Sequence, residues 1–491
     1  MSGSEVLEFR CDIAESAGPL AHFWEHAIGS GHAQLALRAD WQQQLARCHR
    51  EIGVEHVRFH GILCDAMGTL ICNDDKLLYS FYNADLICDF LLSIGMRPFI
   101  ELSFMPETLA SGSKTVFHYR ANVTPPKDYA QWGTLVEKLA EHWVERYGAA
   151  EVRSWFFEVW NEPNLKAFWP ASQAEYFKLY QTTSAALKKV DSHLQVGGPA
   201  TARDGWIDEF LEYSQKKHLP VDFVSTHHYP TDALGTQNED TETQLAESQR
   251  SILRQWAQDT RRKVGNRPLY YTEWNISSNP RDPLHDEPYA AAAIVKAMME
   301  AAGLVQGYSF WTFSDIFSEN YFPSRAFQGG FGLLTIEGIA KPAYHAFQLL
   351  HRLGDRRLVV DGIHSTVDCW AVRRNDDVTL LLTNFALPRH PIQTERARLI
   401  LSADRPPTHA TIERIDQEHG NARRAWSDMG SPEYLSAWQV GELHEASEIS
   451  AEPIAVFTDQ GRTSVEVELE PQSVAAITLK YPAASPAGRQ P

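Results

Sequence analysis

From Ala39 to about Leu350, short runs of β-branched and aromatic residues alternate with longer segments whose apolar residues recur at helical spacing. The short runs fall at 55–61, 97–104, 152–161, 195–198, 222–228, 269–274 and 307–313, with a further one near 20–29. Between them, residues 128–148 carry Trp132, Leu135, Val136, Leu139, Trp143 and Tyr147 on one helical stripe. Ser172-Gln173-Ala174-Glu175 reads as a capping box that opens the next helix. Pro288 starts, and Gly303 closes, an Ala- and Met-rich helix ahead of the last run. Strand alternating with helix implies parallel β/α units. Eight units in about 330 residues fit an α/β fold of the (β/α)8 barrel type with enlarged loops.

After Arg352 the pattern changes. Strand-like runs at 357–361, 368–373, 378–384, 397–401, 411–415 and 465–480 follow one another without helical periods between them. They predict an all-β accessory domain, a sandwich. The expected limits are 1–13 for an N-terminal strand, 14–352 for the barrel and 353–482 for the β-domain. A Pro/Ala/Gly-rich tail, 483–491, is expected to be disordered. The polar stretch 418–450 carries no assignable period. Near the start, Gly29-Ser30-Gly31-His32 allows a tight turn at the first strand.

Charge and cysteine usage narrow the classes. Lys and Arg number 45 against 63 Asp and Glu, a net charge of −18, which argues against nucleic acid or an anionic membrane as partner. No apolar run is long enough to span a bilayer. The N-terminus lacks the basic and apolar regions of a secretory signal. Six Cys show no paired spacing and no Cys-x-x-Cys, which suits free thiols of a reducing compartment. The expectation is a soluble, cytoplasmic protein without cofactor; self-association is left open.

The chemistry gathers at two stretches. Residues 155–164 read Trp-Phe-Phe-Glu-Val-Trp-Asn-Glu-Pro-Asn, an aromatic strand that turns polar and stops at Pro163. It delivers Glu162 at the carboxyl end of a strand, where parallel barrels build their sites. Pro268-Leu269-Tyr270-Tyr271-Thr272-Glu273-Trp274-Asn275 delivers Glu273 in the same way. Two glutamates on strand ends, set among aromatics, suit glycoside hydrolysis by a general acid and a nucleophile. A lone strand-capping glutamate that binds water is the alternative, and the second carboxylate speaks against it.

Residues 155–164 resemble the signature of glycoside hydrolase family 39, the β-xylosidases and α-L-iduronidases, and the resemblance extends from about Leu20 to Leu350. It implies that Glu162 is the general acid/base and Glu273 the nucleophile. It also implies that residues 4–13 return to join the β-domain. Asn161 would bind the sugar 2-hydroxyl; its alternative is a satisfied strand-end amide. Alternation puts His56, Arg58 and His60 on one face of their strand. Arg58 resembles the buried arginine that orients the nucleophile, and His60 would reach the sugar; a purely structural Arg–carboxylate pair is the competing reading. His227 and Tyr229 would face the site, Tyr229 positioning the nucleophile. His227 and His228 invite a metal reading, but consecutive strand residues point to opposite faces, and no metal is expected.

Trp311 is a sugar-stacking candidate or a barrel-top core residue. Asp315 or Glu319 could bind the 3- and 4-hydroxyls, or be solvated loop acids. Trp311, Phe313 and the loop 314–331, with Phe317, Phe322, Phe327 and Phe331, could fill the space a hexose hydroxymethyl would need. One departure stands out: relatives often carry an aromatic shortly after the nucleophile, where this chain has Ile276-Ser277-Ser278-Asn279. The resemblance implies an exo-acting retaining β-xylosidase on xylo-oligosaccharides. The alternatives are an α-L-iduronidase, an endo-glycanase of the same clan and a non-catalytic carbohydrate-binding protein. Iduronidase-type relatives place a basic residue where this chain has Tyr229.

Overall fold

A computed structural model describes residues 6–74, 76–232, 240–320, 325–459 and 461–482; Phe322 and the 483–491 tail of the sequence reading lie outside these. Eight parallel strands close a barrel in chain order: Ala27–His32, His56–His60, Arg97–Leu102, Phe156–Val159, Gln195–Ala202, Phe223–His228, Leu269–Trp274 and Gly307–Phe310. Closure is made by Phe310 beside Ile28. Helices fill the connections. That of Tyr129–Tyr147 buries Trp132, Leu135, Val136, Leu139 and Trp143, and Asp128 caps it by accepting from the Ala130 N–H. Ser172 caps the next helix through the Glu175 N–H, but the Glu175 carboxylate accepts from the Tyr129 hydroxyl at 2.5 Å rather than closing a box.

Inside the barrel the side chains form layers. At the N-terminal end Phe99, Phe156 and Phe223 cluster with Ala27 and Tyr270, and the Phe99 and Phe156 rings stack at 5.1 Å. His26 and His56 pack against this plug, while the charged side chains inside the barrel lie towards the other end. One step up lie Arg58, Glu101, Glu158 and Thr272; beyond them lie His60, His227 and Glu273, where the long loops begin. Gly29, inside the first strand, serves a different purpose from the expected turn. A Cβ on Gly29 would lie 2.5 Å from the Trp311 ring, so glycine there makes room for that indole.

A second sheet of ten strands, mostly antiparallel, forms the accessory domain. Its N-terminal strand, Leu7–Pro19, runs six residues past the expected end. It pairs antiparallel with Arg356–Asp361 and parallel with Glu395–Ser402, so the chain's first strand lies in the middle of its last domain. Residues from strands across the whole sheet meet in one apolar cluster, among them Phe9, Leu358, Leu380, Leu399, Ile412, Val465 and Ile477. The sheet therefore folds over on itself.

The stretch 418–450, which carries no assignable period in the sequence, holds two helices, Ala422–Asp428 and Ala437–Ser447. Their patterns are short, and their apolar partners lie far away in sequence. Trp426 and Leu443 pack on Ala326, Phe327 and Ile339 of the loop after the eighth barrel strand, and Arg423 pairs with Glu287. The accessory domain thus grips a loop on the barrel's functional face.

Candidate active site

Glu162 stands three residues beyond the end of its strand at Val159, which stops earlier than the expected Asn161. Trp160 and Glu162 have φ of +73° and +41°, left-handed values that cost a non-glycine residue about 1–2 kcal/mol each. The turn is held by the Glu162 N–H donating to Ala200 at 2.8 Å and by the Trp160 indole donating to the Phe168 carbonyl at 2.9 Å. It breaks the strand's alternation, so Trp160 enters the outer core while Asn161 and Glu162 face the barrel axis.

Glu273 reaches the axis by a different device. Tyr270 and Thr272 already point inward, so simple alternation would send Glu273 outward. The register with the sixth strand slips here: Thr226 lies opposite Tyr271, and His227 opposite Glu273. One extra residue makes a β-bulge, turning Glu273 inward and Trp274 outward onto Tyr308 and Phe310.

The two carboxylates converge. An oxygen of Glu162, Nδ1 of His227 and an oxygen of Glu273 all lie within 4.8 Å of one another. Arg58 Nη1 donates to Glu273 Oε1 at 2.7 Å, and the Tyr229 hydroxyl donates to Oε2 at 2.9 Å. Arg58 also meets Glu158 at 2.6 Å, Glu101 at 2.7 Å and the Asn161 Oδ1 at 3.0 Å. A fully buried guanidinium is tolerable only with such partners. It is the cation that these carboxylates share.

Burial raises the Glu162 carboxyl to about 7, with further upward pressure from Glu101 and Asp232 against the opposing charges of His60 and Arg58. The main cause is thus desolvation. His227 is buried and its basicity falls to about 4. Its Nδ1 lies 2.9 Å from Glu162 Oε1, while Nε2 faces Arg58 Nη2 at 3.4 Å. Since Arg58 can only donate, Nε2 accepts and Nδ1–H donates to Glu162. Next door, His228 turns away to Asp204 at 2.6 Å.

His60 Nδ1 lies 2.7 Å from Glu101, and its Nε2 faces Glu319 at 3.4 Å and Glu273 at 3.6 Å. Its ring sits between Trp311, at 4.7 Å, and Phe117, at 5.8 Å. Burial raises Glu319 to about 8, partly offset by His60. Asp315, by contrast, is held behind the site. It pairs with Lys341 at 2.7 Å and accepts from the Gly332 N–H at 2.7 Å, and Lys341 also meets Asp286 at 2.7 Å. Its carboxylate fastens the loop after the eighth strand instead of turning to the Glu162–Glu273 pair. Phe313 likewise packs outward on Trp41, and Phe327 on Trp426. Phe317 and Phe331 stay near Trp311.

Sequence reasoning passed over Glu101, Glu158 and Phe117. The first two had a visible signal, a charged residue inside an apolar strand run, which barrel geometry converts into an axial position. Phe117 had none, because it arrives on a loop hairpin formed by Thr115–Val116 and Ala121–Asn122.

An eight-stranded parallel barrel with two buried carboxyls converging at its C-terminal end defines a glycoside hydrolase of the two-carboxylate type. Residues 7–464 match the family model of Glycosyl hydrolases family 39. The chain belongs to that family. It is 46% identical to a β-xylosidase of Caldicellulosiruptor saccharolyticus over 486 residues, covering 98% of this chain and 100% of the relative. A β-xylosidase of Geobacillus stearothermophilus is 38% identical over 461 residues, covering 90% and 88%. The solved structure of a monomeric β-xylosidase from Caulobacter crescentus CB15 superposes with a TM-score of 0.86 at 35% identity, covering 97% of this chain and 100% of that one.

Proposed function

We propose that this chain is a retaining, exo-acting β-xylosidase that releases xylose from the non-reducing ends of xylo-oligosaccharides by double displacement. The observation that carries it is the approach of Glu162 and Glu273, with oxygens within 4.8 Å. Retaining enzymes hold their carboxyls at about 5–5.5 Å, whereas inverting ones need about 6.5–9.5 Å to admit a water.

In the first half-reaction Glu162, protonated at and below neutral pH, gives its proton to the departing oxygen, and Glu273 attacks the anomeric carbon. Arg58 and Tyr229 hold the two oxygens of Glu273 in the attacking orientation. Ester formation removes the charge of Glu273, which favours ionised Glu162. Glu162 then draws a proton from the incoming water, and the sugar leaves with its configuration retained. Asn161, its Oδ1 fixed by Arg58, offers its amide nitrogen to the 2-hydroxyl. Glu319 and His60 take the hydroxyls at the far side of the ring, and Trp311 stacks on it. Asp315 supports the Glu319 loop through Lys341.

The site's electrostatics favour xylose over iduronate. Ionised Glu101 and Glu273 lie at the sugar position, and Arg58 is already spent on three carboxylates. A negatively charged sugar meets repulsion there. The occupants proposed for this site are uncharged oligosaccharides, not nucleic acid. No helix of the described residues is long and apolar enough to cross a membrane. A cytoplasmic setting fits six unpaired cysteines, one of them, Cys72, exposed. Assay of aryl β-xyloside, β-glucoside and α-L-iduronide, with the product anomer followed by NMR, tests the reading. Release of β-xylose first supports it; α-xylose first, or preference for the iduronide, overturns it.

A further inference from the structure

The polar groups placed around the two active-site histidines give them different charges. His227 lies between an acceptor, Glu162, and a donor, Arg58, which a neutral ring satisfies. His60 lies between acceptors on both sides: Glu101 at Nδ1, and Glu319 and Glu273 facing Nε2. A neutral imidazole has one N–H and would present a lone pair to a carboxylate on one side. The imidazolium suits both sides, and ionised Glu273 faces Nε2 even while Glu319 keeps its proton.

Charge counting leads to the same place. Arg58 alone faces Glu101, Glu158 and Glu273, all buried. A second cation is needed to hold three carboxylates in a site this dry. The groups facing His60 are Glu101 on the third strand, Glu273 on the seventh, Glu162 after the fourth, Glu319 after the eighth, Arg58 on its own strand and His32 on the first. Arg58 and His32 oppose its charge; the four carboxyls favour it, and Glu101 is the one in direct contact.

We infer that Glu101 is a positioning residue that holds His60 as an imidazolium, its Nε2–H directed at the Glu273 and Glu319 side of the pocket. Glu101 is itself locked. Besides His60 and Arg58 it accepts from the Ser103 hydroxyl, so its orientation is fixed before substrate arrives. Burial alone would lower the basicity of His60, but Glu101, then Glu319 and Glu273, outweigh it and leave the ring charged up to about 9. The site therefore keeps its second cation across the range in which Glu162 changes charge. Alkaline inactivation then reports the carboxyls Glu162 and Glu319, not His60.

The test is the pH profile of kcat/KM for Glu101→Gln, which keeps the shape and removes the charge. The loss against wild type should be smallest around pH 5, where His60 charges most readily. At pH 8 the variant should fall more than about thirtyfold below, with the alkaline limb steeper and displaced to lower pH because His60 and Glu162 now titrate together. Glu101→Asp, which restores the charge, should return the limb towards its original position. In a His60→Gln background, Glu101→Gln should add no pH dependence. A loss of equal size at every pH, or an unmoved limb, overturns the inference and leaves Glu101 a purely structural residue.

Should Glu101→Gln fail to fold, histidine-labelled wild-type protein gives the answer by NMR, with His60 assigned through His60→Gln. A ring still protonated at pH 8 supports the inference, and one neutral at pH 7 overturns it. The kinetic arm rests on the glycosidase reading, whereas the NMR arm does not, so failure of one is distinguishable from failure of the other.

Discussion

The Tyr229 hydroxyl donates to Glu273 Oε2 at 2.9 Å while Arg58 Nη1 donates to Oε1 at 2.7 Å, so both oxygens of the proposed nucleophile are held, by donors from the second strand and from just past the sixth. The carboxylate has no free rotation to lose when substrate binds. Tyr229→Phe removes one charge-assisted bond of about 1.5–3 kcal/mol. The expected outcome is a fall of roughly 10- to 150-fold in kcat/KM, carried mainly by kcat, in steady-state assays with aryl xylosides.

Glu273→Ala should abolish turnover while leaving the fold intact. Arg58 retains Glu101 and Glu158, so the variant leaves no unpaired buried cation. Thermal unfolding checks the fold. Added azide should restore partial activity and give a glycosyl azide of inverted configuration, read by NMR.

Replacing the proposed acid should separate substrates by leaving group. Glu162→Gln should slow glycosides of poorly acidic alcohols by several orders of magnitude, and those of acidic phenols far less. Wild-type kcat/KM should decline as pH rises through about 7, where Glu162 loses its proton. For activated substrates that alkaline limb should vanish in the variant.

Pentose preference should come from the aromatic wall of Trp311, Phe317, Phe331 and Phe117 around His60 and Glu319. Excluding a hydroxymethyl is worth at least the roughly 1–3 kcal/mol of one methylene. β-Xylosides should exceed β-glucosides in kcat/KM by at least about tenfold, with α-L-arabinosides between. Glu319→Ala should cost about 1.5–3 kcal/mol of transition-state binding through its lost hydrogen bond. A glucoside cleaved as fast as the xyloside would remove the specificity and keep the chemistry.

Stability should be greatest close to about pH 6. His26, His56, His227 and His345 are lowered to about 3, 4, 4 and 4 by burial, so their contribution is complete above about 6.5 and lost as pH falls towards those values. Glu162 and Glu319 are raised from 4.5 to about 7 and 8, so the folded state loses ground as pH rises from about 4.5 up to those values. Tm measured from pH 4 to 9 should fall on both sides. His26→Phe, a swap at the aromatic floor of the barrel, should flatten the acid side.

Much of this protein is written locally. The eight strand runs, the helical stripe of Trp132 to Trp143 and the aromatic setting of Glu162 and Glu273 are visible because burial imposes a period on neighbouring residues. So is the inward row of His56, Arg58 and His60, since alternation over five residues needs no knowledge of the partner strands. Where the local rule breaks, only the assembled barrel decides. Alternation sends Glu273 outward, and the bulge that reverses it exists only in the register between two strands. The positive φ of Trp160 and Glu162 is sustained by bonds to Ala200 and Phe168, residues that meet them through tertiary packing. Asp315 and Glu319 are four residues apart and chemically alike, yet one is taken by Lys341 and the other faces His60. Identity and spacing cannot tell them apart, because a carboxylate's role is set by which cation the fold brings within hydrogen-bond reach.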